Sequence, residues 1–279
     1  MSNLKTAVVA IARLEGNYLR EFVDHYKGLG FTNVILCDND WSEDNEDIKE
    51  ILKDYIENGF VIYEDWRNKK SQEIGKHVQM YAYSVIYEKY KNDYDWLAFF
   101  DVDEQLELVK HQNIDEFLDD KGDYECVLIN WFCFGDANQV EADFTKPLKE
   151  RFTIPCPVDI KVQYDFPENF HIKSIVKGGL PQATFYGNPH IPTNPLKCCN
   201  AKGLQANSSP FQPIDFSVAY LKHYVTKSLQ EWMENKMRRG VPDGRTWEQF
   251  LMAYSPRYFR YNQLTQEKLD WLKAHGYMK

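Results

Sequence analysis

The 279-residue sequence has no surplus of positive charge: 33 Lys and Arg stand against 42 Asp and Glu, a formal net charge of −9. A protein that grips duplex nucleic acid needs a basic face to neutralise phosphates, so no nucleic-acid partner is expected. A nucleotide site is not excluded, because a few local cations together with a metal ion hold a diphosphate. No run approaches the roughly 20 apolar residues of a membrane span, which leaves only peripheral membrane association open. The apolar stretch Ala7 to Ala12 is short and lacks a small-residue cleavage pattern, so it reads as a first strand and not as a signal peptide. The six cysteines (Cys37, Cys126, Cys133, Cys156, Cys198 and Cys199) show no Cys-x-x-Cys spacing. That argues against zinc and for reduced thiols in a cytoplasmic protein. Internal repeats and low-complexity tracts are also missing.

What is present is apolar and aromatic. The 43% hydrophobic content suffices for a sizeable core, and the 15% aromatic content suits either a sugar-binding cleft or a Tyr-rich core and surface. The first 130 residues alternate strand and helix: strands at 6–12, 33–37, 60–63, 96–100 and 124–130, helices at 16–27, 46–57 and 72–90. Within the first helix Tyr18, Leu19, Phe22, Val23 and Tyr26 share one face, and Gly28 and Gly30 close it. Such alternation predicts an α/β fold with a mostly parallel sheet flanked by helices. From Gly178 to Pro213 the chain is dense in Pro, Gly and Asn, an irregular segment of the kind that forms lids or linkers. A helix is expected at 226–239 with Thr226 as N-cap, and a closing helix at 266–274.

Asp-x-Asp occurs three times, at Asp38/Asp40, Asp93/Asp95 and Asp101/Asp103. An EF-hand beginning at Asp38 fails, since Glu43 stands where Gly is needed and Lys49 where a bidentate Glu is needed. Only the third pair follows a strong strand, Trp96-Leu97-Ala98-Phe99-Phe100, which reads as buried on both faces. Two Asp at i and i+2 beyond that strand are expected to point alike into the crevice at the carboxyl edge of the sheet. Their hard oxygens suit Mn²⁺ or Mg²⁺.

In order along the chain, several segments together carry a family likeness. They are Ala10-Ile11-Ala12-Arg13-Leu14-Glu15 with Tyr18 to Phe22, Leu29-Gly30-Phe31, the turn Cys37 to Asp44, Gln79 to Tyr83, and Trp96 to Glu104. Beyond these come Trp131 to Gly135, His190-Ile191-Pro192, His223 to Ser228, and Glu231 with Lys236 to Gly240. Over roughly residues 5 to 240 the sequence resembles the GT-A glycosyltransferases, in the family-2-like and family-92-like branch that includes bacterial polysaccharide-building enzymes. The resemblance implies a single GT-A domain over 1–279, with a nucleotide-binding half at about 1–130, an acceptor-side half at about 131–240 and a helical tail at 241–279. Two positions depart from the pattern: Leu14, where relatives commonly carry a polar residue and often Asn, and Gln105, where they usually carry an aromatic.

The resemblance implies transfer of a sugar, with inversion, from a nucleotide diphosphate donor, UDP-glucose or UDP-galactose first, to a glycan or lipid-linked saccharide acceptor. Asp103 is the implied direct metal ligand, with Asp101 at the metal or the ribose and His223 as a third ligand. His190 competes with His223 or serves the acceptor. Ala12, Arg13, Glu15 and Asp38 would wall the nucleotide slot, while Lys76 and Gln79 would reach the sugar or diphosphate. Lys227, Arg238 and Arg239 would clamp phosphate oxygens. Asp136 is the implied general base, with Glu141 or Asp143 as the substitute, and Trp131 and Phe134 would stack on the acceptor or belong to the core. Two other functions share the Asp-x-Asp pattern: an Asp-dependent phosphohydrolase and a non-catalytic nucleotide-sugar binding module.

Overall fold

Thr6–Ala12 (β1) is buried along its whole length apart from half-exposed Ile11, as a central strand covered on both faces must be. In the computed structural model residues 3–40, 47–70, 77–162, 165–237 and 257–277 are described. The Gly16–Gly28 helix (α1) follows, burying the predicted stripe Tyr18, Leu19, Phe22, Val23 and Tyr26. Each large apolar side chain so buried contributes on the order of 1.5–3 kcal/mol. Gly30, at φ 86°, ends α1. The Phe31 amide bonds the Tyr26 carbonyl and the Gly30 amide bonds that of Lys27, while the Phe31 ring packs on Tyr26 at 5.4 Å. This paired closure with its apolar contact needs a residue tolerant of the left-handed region.

The remaining strands are Asn33–Asp38 (β2), Val61–Asp65 (β3), Trp96–Phe99 (β4), Glu104–Leu108 (β5), Cys126–Cys133 (β6), Ile172–Lys177 (β7), Cys198–Asn200 (β8), Gln205–Ala206 (β9) and Ala219–His223 (β10). They join in one sheet of order β3-β2-β1-β4-β7-β6-β10-β5, with β8 beside β6 and β9 beside β8. The pairings leave β1–β4, β6, β8 and β10 running one way and β5, β7 and β9 the other. The expected α/β class with a mostly parallel sheet is therefore observed, and the nominal division at residue 130 falls inside β6. Helices Ile48–Ile51 (α2) and Lys53–Glu57 (α3) replace the single helix expected at 46–57. Val78–Tyr90 (α4) packs on the face opposite α1, its Val78, Ala82, Tyr83, Ile86 and Tyr87 joining a second core cluster.

Chain order along the sheet puts β2 and β3 on one side of β1 and β4 on the other. The carboxyl ends of β1 and β4 thus meet at the point where the winding reverses, the usual ligand crevice of such sheets. At the far edge of the sheet, β10 lies antiparallel to β5 with His223 opposite Glu104. This register, between strands more than a hundred residues apart, brings the late histidine to the Asp-x-Asp turn. Two further helices used below are Leu148–Arg151 (α5) and Leu229–Glu231 (α6), the latter continuing as a π-helical stretch, Trp232–Met237. The N-cap of α6 is Ser228 and not Thr226. Ser228 and Glu231 form a reciprocal capping box, which satisfies two orphan donors where Thr226 would satisfy neither. The last helix, Gln266–Ala274 (α7), has its expected bounds.

Candidate active site

Beyond β4 the chain turns sharply: the Glu104 amide bonds the Asp101 carbonyl at 3.0 Å. Strand alternation therefore does not govern Asp101 and Asp103, and the expectation that they point alike is corrected. Each carboxylate has its own partners. Asp101 Oδ1 accepts from Gln79 Nε2 at 2.6 Å and the Tyr83 hydroxyl at 3.1 Å, and Lys173 Nζ lies 2.8 Å away. Its side chain is 31% exposed and Asp103's only 7%. Asp103 Oδ2 sits 3.4 Å from Lys227 Nζ and 3.2 Å from Lys236 Nζ, while Oδ1 is 3.7 Å from His223 Nε2.

Four groups around these carboxylates have altered proton affinities; burial pushes the Tyr83 hydroxyl well above its ordinary value. Burial pushes His223 down to about 3, against the opposing pull of Asp103, so the imidazole is neutral with a ring nitrogen directed at a carboxylate. Glu104 forms the floor, accepting from Trp131 Nε1 at 2.7 Å and the Asp101 amide at 2.9 Å. Burial raises its pKa well above the ordinary carboxylate value, with Lys173 opposing. Lys173 is fully buried; burial works against its charge, but Asp101 and Glu104 outweigh that and hold its pKa up. Trp131 is enclosed by imidazoles, with His171, His190 and His223 centroids 4.8, 4.9 and 4.3 Å from its ring. It belongs to the site wall and is not a free platform, and His190 is bonded through Nδ1 to the Ile172 carbonyl.

Ala12, Arg13, Glu15 and Asp38, the residues expected to wall a nucleotide slot, fall on the same edge. Ala12 ends β1 in register with Asp38 at the end of β2. Asp38 accepts from the Tyr63 hydroxyl at 2.6 Å and the Asp40 amide at 2.9 Å, and burial raises its pKa. Glu15 is buried 3.8 Å from Lys227 Nζ, and half-buried Arg13 lies between it and β1. Leu14 and Lys227 both hold left-handed backbone, at φ 53° and 55°, costs of about 1–2 kcal/mol each that are found where a site dictates backbone direction. Gln105 turns away toward Glu21 of α1, so its departure from the family pattern does not alter the space beside Asp103. Arg238, Arg239, Lys76 and the turn residues 41–44 lie outside the described residues.

Asp136 is not set up as a base. Its buried carboxylate pairs with buried Lys268 and accepts from the Tyr258 hydroxyl, and Asn262 bridges the Asp136 amide and Thr226 Oγ1. This is a clamp joining the loop after β6 to the C-terminal segment. Phe134 packs on Phe132 and Tyr224, in the core. Glu141 is exposed, and Asp143 caps a turn through Thr145. Lys173 and Arg151 carry no signal in the sequence, while Glu104, Tyr18, Glu231 and Lys236 stand in the family segments without an assigned role; the structure adds all six to the surroundings of the site. Tyr18 donates to Glu231 at 2.5 Å, and Arg151 pairs with Glu231 through both carboxylate oxygens. The Ser228-x-x-Glu231 spacing was the available signal for Glu231.

Comparison with known proteins yields a family and a set of distant structures. The family model described as glycosyltransferase family 92 matches residues 5–250, and no curated protein matches the chain. Among solved structures it is similar to GalNAc-T7 with UDP, GalNAc and Mn²⁺ (19% identity, 47% of this chain, 24% of that chain, TM-score 0.31). It is also similar to the WbbM bifunctional glycosyltransferase in its apo form (15% identity, 47% and 24%, TM-score 0.29). A third is a putative glucose-1-phosphate thymidylyltransferase from Bacillus anthracis in complex with a sucrose (13% identity, 62% and 69%, TM-score 0.33). The aligned part spans about a quarter of the length of the first two.

Proposed function

We propose, from the premise that this chain belongs to glycosyltransferase family 92, that it transfers a hexose from a nucleotide diphosphate donor to a saccharide acceptor with a divalent cation. The observation that carries this reading is the meeting of Asp103, neutral His223, Lys227 and Lys236 beyond the carboxyl end of β4. Whether a cation suits them is a question of donor chemistry. Among the described residues no group of three His, Cys, Asp or Glu side chains is gathered to hold an ion alone. The Asp103 and His223 pair nevertheless fits one. Its 3.7 Å gap is too long for a hydrogen bond, the imidazole is unprotonated, and oxygen with neutral imidazole suits Mn²⁺ better than Mg²⁺. Donor phosphates and water would complete the shell.

When bound, the ion supplies Lewis-acid neutralisation of the departing diphosphate. The chain's own residues do the rest. Lys227 and Lys236, which both pair with Asp103, would turn their ammonium groups to phosphate oxygens as charge-assisted donors. Asp101, with Lys173 as fixed counter-ion, offers its partly exposed carboxylate to ribose hydroxyls. Asp38, at the end of β2, faces the nucleoside. The base is uridine and the sugar glucose or galactose, by family likeness. A thermal-shift screen of nucleotide sugars with and without Mn²⁺ tests the reading. Stabilisation is expected only when ion and nucleotide are both present, and equal shifts in Asp103→Ala would remove the role given to that carboxylate.

A further inference from the structure

Phe144 is a large apolar side chain left 49% exposed, with Arg151 and Tyr18 packed behind it. It occupies the tip of the turn 143–146, in which the Lys146 amide bonds the Asp143 carbonyl at 3.3 Å. Asp143 Oδ1 accepts from the Thr145 amide at 3.1 Å and its hydroxyl at 2.5 Å, and Lys146 Nζ lies 3.1 Å from Oδ2. The Arg151 guanidinium sits 5.5 Å from the ring centroid. It is itself buried and fixed by its paired contact with Glu231. The Tyr18 ring leans on Phe144 at 6.1 Å and 59°, and Lys227 Nζ lies 4.5 Å from the centroid of that same Tyr18 ring. One ion pair and two ring contacts thus connect Asp103 to Phe144.

We propose that Phe144 is a carbohydrate-binding platform on which a hexose unit of the acceptor lies, one or two units back from the reacting hydroxyl. The proposal rests on the glycosyl-transfer reading of the neighbouring site and names its acceptor subsite. A lone exposed aromatic is ordinary when it is mobile. This ring is backed by Arg151 and Tyr18, contacts that restrict its rotamers before any sugar arrives and so lower the entropic cost of stacking on it. The C–H face of a hexose fits its exposed side, and Asp143 with Lys146 on the same turn would offer acceptor oxygens and a donor for the sugar hydroxyls. A protein partner is disfavoured, because specific protein interfaces bury more than about 1,000 Å² and polar Asp143, Thr145 and Lys146 flank this ring.

The test compares wild type, Phe144→Ala and Phe144→Trp. Binding of lactose, cellotetraose and β-1,4-galactotetraose is measured by saturation-transfer NMR and calorimetry, and UDP with Mn²⁺ is measured by thermal shift. The expected result is binding of at least one oligosaccharide by wild type and Phe144→Trp, with affinity lowered roughly tenfold in Phe144→Ala. The UDP shift should be the same in all three. Equal saccharide affinity in wild type and Phe144→Ala overturns the proposal, as does failure of wild type to bind any of the three sugars. A missing UDP shift in wild type, with the Phe144-dependent sugar binding intact, would instead overturn the donor reading and leave the platform standing.

Discussion

Replacing Arg151 by Met strips the cation from a carboxylate that the fold has already buried. The Arg151 and Glu231 side chains are 2% and 1% exposed, so water cannot take over the lost partner. Removing one member of such a pair costs about 3–5 kcal/mol. Glu231 keeps bonds from the Tyr18 hydroxyl and the Ser228 amide, which places the loss near the lower end, about 3 kcal/mol. At about 2–4 °C per kcal/mol for a large domain, the midpoint should fall by roughly 6–12 °C. The double change Arg151→Met with Glu231→Leu removes the stranded charge and should recover part of the loss, a coupling of about 1–3 kcal/mol in a double-mutant cycle. The wild-type advantage also depends on pH. Burial works to raise the Glu231 pKa, but Arg151 outweighs it and holds the pKa below the ordinary value. The pair's stabilisation is therefore present above the unfolded carboxylate range and lost as pH falls through the folded value. Urea unfolding of the four proteins at pH 7 and pH 4 measures this. A single variant within about 0.5 kcal/mol of wild type, or additive losses, would refute the reasoning.

Leu14→Asn should stabilise the fold by about 1 kcal/mol, since Asn tolerates the left-handed backbone better than Leu; a lower melting temperature would show that the Leu side chain matters more than its φ. Burial depresses the pKa of His25, His171, His190 and His223. The unfolded chain then binds protons that the folded one refuses, so stability holds above about pH 6.5 and declines as pH falls. The slope is about 1.4 kcal/mol per pH unit for each histidine still neutral when folded; a flat melting profile from pH 7 to 5 would contradict it. Asp136→Asn should lower the melting temperature by depriving buried Lys268 of its carboxylate, while UDP binding measured below the melting transition is retained; full stability with lost binding would return Asp136 to the site.

Some of this was legible in the chain before any fold was known. β1 and the stripe of α1 were, because an apolar run and a 3.6 period each have one structural reading. Leu14 was noticed as a departure from relatives, yet its meaning came from its φ of 53°, which Asn would adopt at lower cost. Lys173 was invisible: a lysine in Ile172-Lys173-Ser174-Ile175 belongs to no motif, and lysine is ordinarily a surface residue. Only the covering of β7 on both faces shows it buried against Asp101 and Glu104. Asp136 misled for the opposite reason, since its partners Tyr258 and Lys268 lie more than a hundred residues away in a tail with no motif. The break at Leu52 between α2 and α3 carries no Gly or Pro, and the sequence shows no reason for it.

In the proposed reading Asp103 and His223 grip one ion beside a diphosphate. Loss of the free Mn²⁺ electron paramagnetic resonance signal, titrated with UDP present, measures that grip directly. Wild type should take up Mn²⁺ with a single affinity, and Asp103→Asn should weaken it by at least about tenfold, or 1.4 kcal/mol. An unchanged Mn²⁺ affinity in Asp103→Asn would contradict the account.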